Sequence, residues 1–135
     1  MNILIVDGQG GGVGRQLAAQ IKEAFPDIRL MAVGTNTIAT SAMLKGGADN
    51  AATGENAVLV AARKADVIVG PLGIVVADSL GGEITPAMAT AVAQSGAKRI
   101  LLPFKNCDNV IVGVSDLTLT HLIQQAVEEL RKIVA

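Results

Sequence analysis

The side chains that most often carry catalysis are scarce in this sequence. Its 135 residues include no tyrosine, no tryptophan, one cysteine and one histidine. A single cysteine, Cys107, excludes an internal disulfide and a zinc site built from cysteines alone, which is consistent with a reducing compartment. No histidine lies close to Cys107 in sequence, so a cysteine nucleophile is not favoured. The histidine, His121, is predicted to lie on the solvated face of the last helix.

An excess of charge of either sign is also absent. Eleven basic and twelve acidic residues give a net charge of −1, so no basic field attracts nucleic acid or an anionic membrane. The longest apolar run, residues 67–77, is shorter than the roughly 20 residues that span a bilayer. The first residues lack the basic segment and cleavage site of a signal peptide. We therefore predict a cytoplasmic protein without nucleic-acid or membrane partners.

Apolar residues, in contrast, are abundant. Half of the chain is hydrophobic and only 17% is charged, which leaves more apolar side chains than one core of this size readily hides. The length is typical of one domain, and no linker or internal repeat is apparent. The length and composition predict a single domain over residues 1–135 that forms a homo-oligomer.

Apolar runs that fit β-strands alternate with helical patterns, which predicts an α/β fold. Near-continuous apolar runs are typical of parallel strands covered on both faces, and alternation with helices places helices on both sides of the sheet. We predict a Rossmann-like, three-layer, doubly wound sheet, mostly parallel and of about five strands. The predicted strands are residues 2–6, 28–33, 66–70, 98–103 and 110–114.

The last two predicted strands are joined by residues 104–109. This link is too short for the crossover that parallel strands need. We therefore predict an antiparallel hairpin at the edge of the sheet.

Capping residues mark the starts of the predicted helices. Residues 13–24 form the first helix, and Thr85 followed by Pro86 is the clearest helix start in the chain. The long connection before it, residues 71–84, has no regular pattern, and connections of this length are often functional. The other predicted caps are Thr37, Thr53 and, for the last helix, Ser115 or Thr118.

Five of the seven residues 8–14, directly after the first predicted strand, are glycine. In open α/β sheets, ligands bind beyond the carboxyl ends of the strands. Glycines let a phosphate approach the backbone, and the amides and dipole at the start of the next helix attract it. The loop predicts a phosphate site, and the alternative is that its glycines only permit tight packing of strand against helix.

Residues in and beside this loop form the predicted cofactor-binding set. Arg15 follows the glycines as a charge partner for phosphate, and Thr35 and Asn36 follow the second strand, near the place of a ribose in dinucleotide-binding domains. The set is Gly8, Gln9, Gly10, Gly11, Gly12, Val13, Gly14, Arg15, Thr35 and Asn36.

Acidic residues near the loop have two interpretations each. Asp7 either binds a metal or ribose or accepts hydrogen bonds from the amides of the turn, and the second role is favoured. Glu83 and Asp78 lie in the long connection, which is predicted to fold over the glycines as a lid. They are the candidate catalytic residues, although acids before a helix also favour its dipole. Residues 105–108 either join the same crevice or form a hairpin turn. No metal site is predicted.

The glycine loop resembles two known nucleotide-binding loops. Gly8, Gly12 and Gly14 have the G-x-x-x-G-x-G spacing of short-chain dehydrogenases, which implies NADP or NAD. Those enzymes use a tyrosine that this chain lacks, and no acidic residue ends the second strand to bind a ribose hydroxyl. Residues 11–16 are also similar to the phosphate loop of ParA-like ATPases, which implies ATP or GTP. Here Arg15 and Gln16 replace the lysine and the magnesium-binding hydroxyl.

Four further segments resemble a bacterial family described as domain of unknown function 3842. The segments are residues 7–12 (DGQGGG), 40–45 (TSAMLK), 52–56 (ATGEN) and 77–86 (ADSLGGEITP). The resemblance covers essentially the full chain. It implies a Rossmann-like fold and a bacterial cytoplasmic origin, and it implies no particular activity.

The sequence therefore predicts a protein that binds a nucleotide or dinucleotide, with NADP or NAD favoured. One alternative is an ATP- or GTP-binding protein, and another is a structural or regulatory oligomer without a nucleotide. An enzyme would use NADP for reduction or isomerisation. The scarcity of catalytic side chains favours a binding protein that does not turn its ligand over.

Overall fold

Parallel strands alternate with helices in the computed structural model, which describes residues 1–103, 109–114 and 117–134. A short 3-10 helix, Leu72–Val75, follows the fourth strand. The strands are β1 (Asn2–Asp7), β2 (Arg29–Gly34), β3 (Asn50–Thr53), β4 (Val67–Pro71) and β5 (Lys98–Leu102). The helices are α1 (Gly12–Ala24), α2 (Thr37–Gly46), α3 (Glu55–Lys64), α4 (Pro86–Gln94) and α5 (Leu119–Val134).

The strand order is β3-β2-β1-β4-β5, and every neighbouring pair is parallel. This is the order of the first five strands of the doubly wound dinucleotide-binding fold. From β1 the chain first moves outward through β2 and β3, and it then crosses to β4 on the other side of β1. The predicted α/β fold is confirmed, and its topological switch point lies between β1 and β4.

Helices cover both faces of the sheet, and each face has its own apolar core. Along β1, Ile3 and Ile5 pack in one cluster with residues of α1, α2 and α5. Leu4 and Val6 point to the opposite face and pack with residues of α3 and α4. Because successive side chains of a strand face opposite sides, a strand buried on both sides appears in the sequence as an unbroken apolar run.

The predicted antiparallel hairpin at the sheet edge is wrong. Residues 110–114 form no strand, and β5 pairs with β4 alone among the described strands. Val110 and Val112 are 90% and 94% exposed, and Gly113 turns the chain with a φ of 85°. Valine favours strands only where its side chain finds a surface to pack against. The predicted connecting residues 104–108 lie outside the described residues.

The fifth strand is β3, which the sequence analysis missed. Its four residues, Asn50–Thr53, pair with Met31–Gly34 of β2 in parallel register. The segment is short and rich in alanine and asparagine, which have little preference for strands. This strand therefore forms because it pairs with β2, and its own composition does not predict it.

Two of the predicted helix caps are confirmed. Thr85 accepts a hydrogen bond from the Met88 amide at 3.1 Å, with Pro86 in the first turn of α4. Thr118 precedes α5 and accepts from the His121 amide at 3.2 Å. Ser115, the alternative cap of α5, lies outside the described residues.

The other two predicted caps are wrong. Asn36, not Thr37, caps α2, because its side chain accepts from the Ala39 amide at 2.9 Å. Thr53 ends β3, and its hydroxyl lies 2.7 Å from that of Thr40.

Across the described part of the chain, no helix is both long and apolar enough to cross a membrane.

Candidate functional site at the switch point

The glycine loop, residues 8–14, connects β1 to α1 at the carboxyl end of the sheet. The Gly11 amide donates to the Gly8 carbonyl at 2.9 Å, and Gly11 has a left-handed φ of 72° immediately before α1. The Thr35 amide donates to the Asp7 carbonyl at 3.0 Å and holds the end of β2 against that of β1. The loop thus lies at the switch point, where open α/β sheets bind their ligands.

Asp7 is a buried carboxylate held by the loop. Only 4% of the residue is exposed. Its Oδ1 accepts from the Gly8 amide at 2.8 Å and its Oδ2 from the Gly14 amide at 2.7 Å. Burial raises the pKa of Asp7 above its ordinary value, the two amide bonds oppose this, and the nearby charge of Glu83 adds to it. The favoured role of Asp7, as an acceptor for the amides of its own turn, is confirmed.

Packing explains three of the five loop glycines. A Cβ atom on Gly14 would lie 2.5 Å from Met43 Sδ, and one on Gly11 would lie 2.7 Å from Ala39 Cα. Gly8 is similarly covered by side chains that follow β2 and β4. At these positions any side chain would push the loop away from its neighbours.

Packing does not explain the other two, Gly10 and Gly12. Both are exposed, neither has a left-handed φ, and a Cβ atom on either would meet nothing within 4 Å. In the part of the chain that the structure describes, the amides of Gly10, Gly12 and Val13 donate to no protein acceptor. These three amides are therefore available to a ligand, and glycine leaves the approach to them open.

Glu83 connects the glycine loop to the residues that follow β2. Its Oε1 accepts hydrogen bonds from Thr35 Oγ1 at 2.6 Å, Asn36 Nδ2 at 2.7 Å and the Gln9 amide at 2.9 Å. Asn36 Nδ2 also donates to the Gln9 carbonyl at 3.0 Å. The bond from Thr35, followed by those from Gln9 and Asn36, lowers the pKa of Glu83 against the opposing effect of burial. Three donors from two loops thus converge on one anionic oxygen.

The long connection after β4 folds over the glycine loop, as predicted. It closes on itself where the Asp78 amide donates to the Ile84 carbonyl at 2.7 Å. A Cβ atom on Gly8 would lie 3.1 Å from Leu80 Cδ1. Within the described residues, positive φ at non-glycine positions occurs only in these two loops, at Gln9 (50°), Asp78 (66°) and Leu80 (56°). Such strain persists where surrounding contacts fix the backbone, and it is common at functional sites.

The remaining predicted residues contribute less to this network. Asp78 is exposed, and its carboxylate has no hydrogen bond among the described residues. Arg15 is exposed on α1, where it lines a shallow cavity of about 530 Å³ with Ile38 and Lys45 of α2. His121 is exposed on α5, as predicted. Residues 105–108 lie outside the described residues.

The network was only partly accessible to sequence analysis. Thr35, Asn36 and Gln9 belong to the predicted binding set, but Leu80 and the contact of Glu83 with them were missed. The signal that could have indicated this contact is the pair of glycines at 81 and 82, which permits a tight turn directly before Glu83. Both have left-handed φ values, 66° and 93°.

A second, larger cavity lies away from the glycine loop. An open groove of about 970 Å³ runs between α1, β5 and α5, and its lining includes Leu102, His121 and Leu122 but no residue of the glycine loop. Within residues 1–103, 109–114 and 117–134, no group of three or more His, Cys, Asp or Glu side chains is placed to hold a metal ion.

Comparison with known proteins identifies a family and a distant structural likeness. The family model described as "Domain of unknown function (DUF3842)" matches residues 2–135. No curated protein matches the chain. Among solved structures, the chain is similar to a dodecameric FMN-dependent Ubix-like decarboxylase from Escherichia coli O157:H7. The two are 18% identical, the match covers 97% of this chain and 76% of the other, and the TM-score is 0.48. This likeness is too distant to carry an argument about ligand or assembly.

Proposed function

We propose that this chain, which belongs to the DUF3842 family, binds a nucleotide or dinucleotide whose phosphates contact the glycine loop. NADP or NAD is the favoured ligand. The observation that carries the proposal is the pair Gly10 and Gly12, which are glycine although neither packing nor backbone conformation requires it. Close approach of a phosphate to the backbone is the remaining physical reason for a missing side chain.

The electrostatics of the loop support the same role. The free amides of Gly10, Gly12 and Val13 lie at the start of α1, where the helix dipole favours an anion. The Gly14 amide donates to Asp7 Oδ2 and is therefore not available to a ligand. The Asp7 carboxylate is buried and accepts hydrogen bonds from the amides of Gly8 and Gly14. The loop also holds an anion in this structure, since Glu83 Oε1 accepts from the Gln9 amide.

Binding without turnover is the form of the proposal that the side chains favour. Of the two candidate acids, Glu83 accepts a hydrogen bond from the loop, whereas the Asp78 carboxylate accepts none from the described residues. The hydrogen bond from Thr35 lowers the pKa of Glu83, which makes it a poor proton donor at neutral pH and a weak base. Glu83 is therefore better suited to accept hydrogen bonds from a ligand than to move a proton.

We further propose that the chain forms a homo-oligomer. Large apolar side chains are exposed at Ile38 (70%), Val110 (90%) and Val112 (94%). Val110 and Val112 are two residues apart in the chain, and exposed apolar side chains that are neighbours are typical of surfaces that associate. Sedimentation velocity at several protein concentrations tests this, and a monomer at every concentration would contradict it.

A thermal-shift panel tests the binding proposal. The ligands are NAD, NADP, ATP, GTP, coenzyme A and FMN, each with wild type and with Gly12→Asp. A ligand at about 100 times its dissociation constant adds roughly 2.7 kcal/mol to the free energy of unfolding, which raises the melting temperature by several degrees. We expect a shift with NAD or NADP that is lost in Gly12→Asp, because the new carboxylate repels phosphate at this position.

The control is Gly96→Asp. Gly96 is also exposed with open space around it, but it precedes β5 at the opposite end of the sheet. The variant adds the same charge and should keep the shift. An acidic residue in the first turn of α1 interacts favourably with the helix dipole, so Gly12→Asp itself should fold.

A shift with ATP or GTP alone would favour the ATPase-like alternative. No shift with any ligand would leave the loop without a nucleotide and refute the proposal.

A further inference from the structure

Dinucleotide-binding domains usually place an acidic residue at the end of the second strand, where it accepts hydrogen bonds from ribose hydroxyls. Here β2 ends at Gly34, and Thr35 and Asn36 follow. Judged from the sequence alone, the ribose position therefore lacks its carboxylate.

The structure supplies a carboxylate at this position from a different part of the chain. Glu83 lies in the connection after β4, and its Oε1 is held by Thr35 Oγ1 at 2.6 Å and Asn36 Nδ2 at 2.7 Å. The same oxygen accepts from the amide of Gln9, the residue after the first loop glycine, at 2.9 Å. The two residues that replace the usual acid thus bind an acid that comes from the neighbouring loop.

The second oxygen of Glu83 has capacity for a ligand. Oε2 accepts no hydrogen bond from the described residues, whereas an ionised carboxylate offers about four acceptor positions. Among the described residues, every buried side-chain oxygen or nitrogen has a hydrogen-bond partner. Because Oε2 has none, it is accessible from outside the protein. A pair of ribose hydroxyls can therefore donate to Oε2 while Thr35, Asn36 and Gln9 keep Oε1 in place.

We propose that Glu83 binds the ribose hydroxyls of the nucleotide and selects a free 2′-hydroxyl over a 2′-phosphate, so that NAD is preferred to NADP. This inference rests on the proposed nucleotide site. An ionised Glu83 accepts hydrogen bonds from a hydroxyl but repels a phosphate at the same position. Among the described residues, Glu83 has no ion pair with a lysine or arginine that would offset this repulsion.

The experiment is calorimetric titration of NAD and NADP, which differ only in the 2′-phosphate, into wild type, Glu83→Gln and Glu23→Gln. Glu83→Gln keeps an acceptor oxygen and removes the charge. Glu23 is exposed on α1 away from the loop, and Glu23→Gln makes the same change in net charge. Because like charges placed side by side repel, we expect wild type to bind NAD roughly tenfold or more tighter than NADP, a difference of about 1.4 kcal/mol or more.

The variants separate selection from simple obstruction. Glu83→Gln should reduce the NAD preference by about tenfold, mainly by tightening NADP, while Glu23→Gln keeps the wild-type ratio. If Glu83→Gln raises the affinity for NAD and NADP equally, Glu83 only obstructs the site and the inference is wrong. Equal affinity of wild type for NAD and NADP would also overturn it, and this result does not depend on any variant folding. If neither wild type nor the variants bind NAD or NADP, the favoured ligand of the proposed function is wrong and the inference fails with it.

Discussion

Gly14→Ala should destabilise the protein and Gly12→Ala should not, although both residues lie in the first turn of α1. A Cβ atom on Gly14 would lie 2.5 Å from Met43 Sδ and 3.0 Å from Asp7 Cβ, whereas one on Gly12 would meet nothing within 4 Å. Ordinary carbon contacts begin near 3.4 Å. Gly14→Ala therefore forces Met43 or the loop to move, and Gly12→Ala does not.

The expected magnitudes follow from this difference. Overpacking typically costs about 1–3 kcal/mol, and replacing a helical glycine with alanine returns about 0.5–1 kcal/mol. Taking the middle of each range, Gly14→Ala should thus lower the free energy of unfolding by about 1.3 kcal/mol. With an unfolding entropy of about 2.1 cal/mol/K per residue, this corresponds to a melting temperature roughly 4–5 °C lower. Gly12→Ala should leave stability unchanged or raise it by up to about 1 kcal/mol.

Urea and thermal unfolding of both variants, at one protein concentration, provide the measurement. The contrast between the two positions is the essential result, because it separates the packing glycines from the open ones. If Gly12→Ala loses as much stability as Gly14→Ala, then Gly12 also has a structural role. Its missing side chain would then be explained without a ligand, which contradicts the proposed phosphate site.

Three further predictions concern the residues around the loop. Because burial raises the pKa of Asp7 above its ordinary value of 3.8, its contribution to stability is complete below that pH and is lost as pH rises through the folded-state pKa. The unfolding free energy of wild type relative to Asp7→Asn should therefore fall from pH 3.5 to pH 7, and a relative stability that increases with pH would show the opposite shift. Thr85→Ala removes only the cap of α4 and should cost about 1 kcal/mol in urea unfolding, so no measurable loss would mean that this bond contributes nothing. Asn36→Ala removes a cap and also the hydrogen bonds from Nδ2 to Gln9 and Glu83. It should therefore lower the free energy of unfolding by about 1–2 kcal/mol more than Thr85→Ala does, and equal losses would indicate that the loop contacts add no stability.

Local patterns account for the parts of the fold that were predicted. Apolar residues fill most of β1, β2 and β4 and the second half of β5, and Thr85 with Pro86 marks the start of α4. Strand β3 has no such pattern, since four residues of low strand preference become a strand only by pairing with β2. The opposite error occurred at residues 110–114, where valine and isoleucine suggested a strand that finds no partner.

The choice of helix caps shows a similar limit. Asn36 and Thr37 are adjacent residues that both favour a cap position, so composition cannot choose between them. The choice depends on where β2 ends, and that is set by pairing with β1 through Gly34.

The candidate site was predicted as far as it is contiguous in sequence. The glycine loop follows β1 directly, and its position at the carboxyl end of the sheet follows from the parallel topology. The contact between Glu83 and Thr35 joins residues 48 positions apart. It depends on the path of the connection after β4 and on three left-handed residues, Leu80, Gly81 and Gly82. Spacing in the sequence does not specify that path.

The most direct test of the central claim is a titration of ¹⁵N-labelled protein with ADP, followed by amide chemical shifts. If phosphate binds the open amides of the glycine loop, the largest changes will occur at Gly10, Gly12 and Val13, and Gly96 will stay unchanged. Changes confined to the groove near Leu102 and His121, or no changes at millimolar ADP, would contradict the account.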